Sequence, residues 1–284
     1  MQPPGSPPQK IALPNIHNVI AVASGKGGVG KSTVAANLAL ALARTITPQP
    51  SSGKEGIGRV GLLDADIYGP SVPIMMGVRD VVDQRTTPFP LERYGLKLMS
   101  MGFLVPPVQA VIWRGPMVHR ALVQFLTDIN WGPLDYLVID LPPGTGDAQL
   151  TLTQTAPLSG AIIVTTPQDV ALIDARKGLE MFRQVRVPVL GIVENMSYFQ
   201  GEDGTRVHLF GHGGGQKLAA EAGVPFLGEI PIDPRVSECG DQGEPIVHRY
   251  PESGVAKAYQ ALAAMVIEQL RRTDQGPELP EVQL

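Results

Sequence analysis

Short apolar runs rich in Val, Ile and Leu recur along the chain, at residues 19–24, 60–64, 96–101, 136–141, 161–166, 189–194 and 226–230. Each is too short for a buried helix and too uniformly apolar for a strand with one wet face, so each predicts a strand covered on both faces. Between them, at 32–44, 116–130, 172–185, 215–222 and 254–272, apolar residues return at helical spacing. Strands alternating with helices predict an α/β fold: a doubly wound, mostly parallel sheet of about seven or eight strands with helices on both faces. In such sheets ligands bind beyond the carboxyl ends of the strands. The pattern spans residues 15–272 as one domain. Residues 1–14 form a Pro-rich tail without the apolar core of a signal peptide, and 273–284 an acidic tail expected to be disordered. Residues 47–58, polar and rich in Pro and Gly, are expected to be a mobile surface loop.

The first strand leads into Ser24-Gly25-Lys26-Gly27-Gly28-Val29-Gly30-Lys31-Ser32-Thr33, and a helical Ala/Leu run follows. Residues 25–32 fit G-x-x-x-x-G-K-[ST]. Glycines let successive N–H groups turn inward around an anion, and the helix N-terminus adds a favourable dipole. Lys31 is the cation expected at the outer phosphates, and the Ser32 hydroxyl a Mg²⁺ ligand. Lys26 is a second lysine, which a phosphate loop does not need.

The second strand ends in Leu62-Leu63-Asp64-Ala65-Asp66. Asp66, just past the strand, is the candidate for positioning an attacking water. Asp64 is placed as a supporting carboxylate near Mg²⁺, with a turn-capping role for one of the two as the alternative. Four apolar residues ending in Asp140 give a second carboxylate-bearing strand whose Asp140 would reach Mg²⁺ through water. The following Pro142-Pro143-Gly144-Thr145-Gly146 pairs two stiff residues with two free ones, as a two-conformation loop requires. Asn195, expected at a strand end, could pair with a purine edge, and Pro231, Asp233 and Pro234 could wall the base.

Composition narrows the field. The net charge of −4 gives no electrostatic footprint for nucleic acid, and no run of 18 or more apolar residues suggests a membrane span. Cys239 is the sole cysteine of 284 residues, which excludes an intrachain disulfide and fits a reducing, cytoplasmic setting.

With these residues in place, the chain resembles a known family. The glycine loop with its extra lysine is similar to the deviant Walker A loop of the MinD, ParA and nitrogenase iron protein ATPases. The phrases LLDADIYGPSVP, WRGPMV, DYLVIDLPPGTGDAQLTLTQ, TTPQDVALIDARKG and VPVLGIVENMSYF, within a match from Asn15 to Leu262, resemble the Mrp/ApbC iron–sulfur cluster carrier ATPases. The resemblance implies an ATP- and Mg²⁺-dependent homodimer serving an iron–sulfur apo-protein or scaffold. Nucleic acid is not expected as a partner because of the net charge, nor membrane because an acidic, Pro-containing tail follows the last helix. The resemblance also implies that Lys26 reaches the phosphates of the other subunit, an added cation at the transferring phosphoryl.

One departure stands out. That family carries Cys-x-x-Cys just after the MSYF phrase, whereas here Gln200-Gly201-Glu202-Asp203 follows, expected as a polar hairpin turn over 200–205. Two copies of Cys239 cannot supply the four thiolates of a usual four-iron cluster. His208 and His212 stand nearby but read as surface residues, and Cys239 as a loop thiol. The first reading is therefore an ATP switch for iron–sulfur cluster assembly with its own cluster in doubt. A MinD- or ParA-like positioning ATPase and a small-molecule kinase are the alternatives.

Overall fold

The structure, a computed structural model, describes residues 10–46, 59–67, 69–78, 89–103, 115–201 and 203–274. The expected loop at 47–58 lies outside the described residues.

Among the described residues, nine strands form one sheet: β1 (Ile16–Ala23), β2 (Val60–Asp64), β3 (Leu91–Arg93), β4 (Leu96–Ser100), β5 (Leu134–Asp140), β6 (Gly160–Thr165), β7 (Val189–Gln200), β8 (Arg206–Val207) and β9 (Phe226–Ile232). Their order is β3-β4-β2-β5-β1-β6-β7-β8, with β9 also on β7. All pairings are parallel except those of β3 and β8, which fold back on β4 and β7. The α/β doubly wound expectation holds, and the added strands are two short edge hairpins.

Alternation along each strand builds two cores. Ile20, Val22, Leu62, Val138 and Ile162 face one side; Val19, Ala21, Leu63, Ile139 and Ile163 face the other. Both sets are buried, which is why these strands read as continuous apolar runs. Burying each Val, Leu or Ile stabilises the fold by roughly 1.5–3 kcal/mol. On the first face lie α1 (Lys31–Ile46) and α9 (Gly254–Asp274). The Ala/Leu composition of α1 lets it pack closely, and Val34–Leu42 is buried throughout. The opposite face is covered by α3 (Gly115–Thr127), α4 (Asp147–Thr155), α5 (Asp169–Gln184) and α6 (Gly214–Ala222). The described residues also hold three short α-helices: α2 (Val72–Met75), α7 (Pro234–Gln242) and α8 (Ile246–Arg249).

Several boundaries differ from expectation. Helix α5 begins three residues earlier than predicted, and β7 continues six residues past Glu194, with Met196 at φ +55° where the register shifts. Helices α2, α4, α7 and α8 were not expected. Cys239, expected in a loop, is buried on α7. Ile11, assigned to the N-terminal tail, donates its N–H to the carbonyl of Thr155 on α4 and packs on the second core. The turn at 200–205 does close a hairpin between β7 and β8, with Gly201 N–H donating to the Thr205 carbonyl.

Candidate functional site

Strand β1 lies between β5 and β6, and the loop it feeds, residues 24–30, opens at the carboxyl end of the sheet. The loop is held from three sides. Ser24 donates to the Lys26 carbonyl (2.8 Å), and Gly144, in the loop after β5, donates its N–H to the Ser24 carbonyl (3.0 Å). Asn195 donates its amide to the Val29 carbonyl (2.9 Å). Gly25 passes so close to α5 that a Cβ there would lie 2.1 Å from the Asp174 carbonyl. Gly30 has φ +79°, and a Cβ would meet the Asn195 amide at 2.2 Å. Gly27 and Gly28, by contrast, face open space, as a loop must if its N–H groups are to surround an anion.

Register then assembles the charged centre. Asp64 of β2 and Asp140 of β5 are paired in the parallel ladder, and Val22 pairs with Asp140 beside them. Lys31, first residue of α1, turns its Nζ onto Asp140 Oδ1 at 2.5 Å, with Ser32 Oγ at 3.2 Å and Asp66 Oδ2 at 4.0 Å. Lys31, Asp64, Asp66 and Asp140 are all buried. Two carboxyl groups, those of Asp140 and Asp66, thus lie within 4.0 Å of one ammonium.

The carboxyl groups differ. Asp64 is fully enclosed: Oδ1 accepts the Asp66 N–H (3.1 Å), and Oδ2 accepts the Val72 N–H (3.3 Å) and the Ser100 hydroxyl (2.9 Å). Burial, and secondarily the charge of Asp140, push its pKa up to about 8. Asp64 therefore holds the turn that aims Asp66 and starts α2. Burial also raises the pKa of Asp140, opposed by the Lys31 ammonium and a hydrogen bond from Ser32. Its Oδ2 is buried with no hydrogen-bond partner among the described residues, a position suited to a divalent cation or its water shell. Asp66 accepts the Gly69 N–H (3.3 Å), and about a tenth of its side chain is exposed.

Beside the glycine loop a cavity of about 530 Å³ is lined by Gly30, Thr33, Met75, Asn195, Pro231 and Asp233, among others. Its size suits a purine. The structure alters the parts assigned to its lining. Asn195 sits within β7, not at its end, and directs one amide N–H to the loop carbonyl. Asp233 caps α7 by accepting the Arg235 N–H (3.0 Å) and is ion-paired to the Arg235 guanidinium (2.6 Å), which lowers its pKa. Pro234, the first residue of α7, needs no N–H partner there. Met75 of α2 was not anticipated, nor was Glu194. The latter is a fully buried carboxylate that accepts from Ser197 and from the Gly215 N–H at the start of α6, both at 2.6 Å. Lys26 is half-buried at the loop's rim.

Cys239 is 2% exposed, and burial raises its thiol pKa. His208 and His212 are exposed with ring centroids 4.3 Å apart. Among the described residues no group of three or more His, Cys, Asp or Glu is arranged to hold a metal ion, so a thiolate-built cluster site does not fit this chain's own donors. No helix among the described residues is long and apolar enough to cross a membrane.

The chain is similar to known proteins. An iron-sulfur cluster carrier protein of Synechocystis is 52% identical over 273 residues, covering 91% of this chain and 74% of that protein. A solved nucleotide-binding protein of Archaeoglobus fulgidus in complex with ADP is 41% identical, with a TM-score of 0.68 over 84% of this chain and 90% of that one. The septum site-determining protein MinD of Pyrococcus horikoshii, complexed with Mg-ADP, superposes with a TM-score of 0.65 over 90% of this chain and 98% of that one. At 24% identity it shares the fold alone. Residues 15–267 match the family described as NUBPL iron-transfer P-loop NTPases of the ParA group, and the chain belongs to that family.

Proposed function

We propose that the protein is a homodimeric, Mg²⁺-dependent ATPase that acts as a switch in iron–sulfur cluster transfer, with the cluster as cargo and its thiolate ligands supplied by a partner protein. The observation that carries the ATPase reading is the buried Lys31–Asp140 pair beside an unpartnered Asp140 Oδ2, set at the mouth of an open glycine loop.

On this reading Lys31 exchanges its Asp140 partner for the outer phosphate oxygens of ATP. Backbone N–H groups of residues 25–33 surround the phosphates. Ser32 and Asp140 would hold Mg²⁺, which supplies neutralisation of the phosphate charge. Asp66 orients the attacking water and accepts its proton. Asp64, sealed by three donors, acts through Asp66 and α2 and not on the metal directly. The purine lies in the cavity bounded by Asn195, Pro231 and Asp233. Lys26, at the rim, extends to the phosphates of a second copy.

The dimer reading gains support from exposed apolar side chains at the same end of the sheet: Val170 and Ile173 of α5 and Val207, Leu209 and Phe210 after β7. Clustered exposed apolar groups mark interaction surfaces. The names of the relatives, cluster carriers among them, supply the cargo. The absence of a Cys-x-x-Cys and the burial of Cys239 support ligands from elsewhere.

The test is ATP turnover of the Asp66→Asn variant. Nucleotide affinity should stay within about threefold of wild type while turnover falls about 100-fold or more, as expected on removing a general base. Turnover that is unchanged in the variant, or absent in wild type with Mg²⁺, would overturn the reading.

A further inference from the structure

Among the described residues only three buried side-chain polar atoms lack a hydrogen-bond partner: Asp140 Oδ2, Gln149 Nε2 and Gln149 Oε1. Other buried polar side chains at this end of the sheet are matched, including Asp64, Ser100, Glu194, Asn195 and Ser197. The exceptions flank one segment. Asp140 ends the strand before the 142–146 loop, and Gln149 lies in the first turn of α4 just after it.

Helix α4 is poorly finished at that end. Its N-cap is Gly146, which offers no side-chain acceptor, so the first N–H groups lack a cap. The buried threonines of α4 solve their own problem: Thr153 donates to the Leu150 carbonyl (2.8 Å) and Thr155 to that of Thr151 (2.7 Å). Gln149, 1% exposed, does not. Counting from Gly146, it occupies the third helical position. There a Gln side chain can reach back to accept the N-cap N–H, half of a capping box. In the present conformation Oε1 makes no such bond. The loop itself is tied to the phosphate loop by the Gly144-to-Ser24 bond, so a shift of one moves the other.

We propose that Gln149 is a positioning residue for ATP hydrolysis: when nucleotide occupies the glycine loop, its side-chain amide closes onto the backbone of the 142–146 loop, accepting the Gly146 N–H, and locks that loop beside Asp140. This rests on the ATPase reading above. The free protein keeps the buried Gln149 Oε1 unmatched, and loading gives it a donor, so the unpaired oxygen biases the loop toward its nucleotide-bound form. Gln149 touches neither phosphate nor metal. It acts through the loop.

The discriminating variant is Gln149→Leu, which keeps the bulk and removes both polar atoms. Without nucleotide its Tm should rise by about 2–6 °C, because an unsatisfied buried amide is gone. With Mg²⁺ and ATP, kcat should fall about tenfold or more while KM stays within about threefold. Hydrogen exchange supplies the readout that a structural role would not move. A non-hydrolysable ATP analogue with Mg²⁺ should slow exchange of the Gly146 amide at least about tenfold in wild type and not in Gln149→Leu. A raised Tm with unchanged kcat, a lowered Tm, or equal protection of Gly146 in both proteins would overturn the proposal while leaving wild-type ATPase activity standing. Failure of wild type to hydrolyse ATP would remove the reading on which it rests.

Discussion

Replacing Lys31 with Met removes the ammonium that the buried carboxylates share while keeping the length of the side chain. Asp140 has no exposed surface, and among the described residues its ion partner is Lys31 at 2.5 Å. Removing one member of such a pair strands the other, at a cost of about 3–5 kcal/mol. For a chain of this size each kcal/mol moves Tm by roughly 2–4 °C, so Tm should fall by about 6–20 °C near neutral pH. The carboxyl group can escape part of that cost by taking a proton. Burial already raises the pKa of Asp140, and loss of Lys31 removes the main opposing influence. The folded variant then binds a proton that the unfolded chain has released, so its stability falls as pH rises. The destabilisation relative to wild type should therefore be larger at pH 8 than at pH 5. Urea unfolding followed by circular dichroism at the two pH values measures this. Lys31→Met combined with Asp140→Asn, which leaves no stranded charge, should recover about half of the loss or more. A loss below about 1 kcal/mol at pH 8, or one equal at both pH values, would show that the pair does not neutralise a buried charge as described.

Other outcomes follow from the same geometry. Asp64, at about 8 when folded against 3.8 as a free side chain, keeps its proton between those values only in the folded state. Its contribution is therefore complete below the lower value and declines as pH rises toward 8, by at most about 1.4 kcal/mol per unit. Asp64→Asn should flatten this decline in urea titrations at pH 5 and 8, and an unaltered slope would contradict the assignment. Gly25→Ala would push a Cβ into the Asp174 carbonyl, so nucleotide affinity measured calorimetrically should fall about tenfold or more by displacement of the phosphate loop. Lys26→Ala and Lys31→Ala should each be inactive, yet their mixture should regain partial turnover if Lys26 serves the other subunit; shown heterodimers without activity would refute the trans role.

The parallel core was legible because its strands are apolar on both faces and its ligand loop has a fixed chemistry. What escaped was set by context. The stretch Gln149-Leu150-Thr151-Leu152-Thr153 alternates with a period of two and reads as nothing helical, yet it folds as part of α4, where Thr153 and Thr155 turn their hydroxyls onto α4 carbonyls. Helix α7 leaves a readable sign, Asp233 followed by Pro234, an N-cap and a first helical residue, but the same prolines equally suit a rigid wall beside a base. Asn195 could be placed near a nucleotide from its strand, but only the packed structure shows its amide on the Val29 carbonyl. Ser100 gave no signal, because its hydroxyl matters only through the register that puts β4 beside β2.

The claim that the cargo's thiolates come from a partner is tested most directly by anaerobic reconstitution of the purified protein with iron and sulfide, with bound iron counted after gel filtration. Two copies of the chain would bring only two buried Cys239 thiols, too few for a four-iron site. The retained iron should fall far short of a four-iron cluster per dimer and be the same in wild type and Cys239→Ser. A gel-filtration-stable cluster of about four irons per dimer, lost in Cys239→Ser, would contradict it.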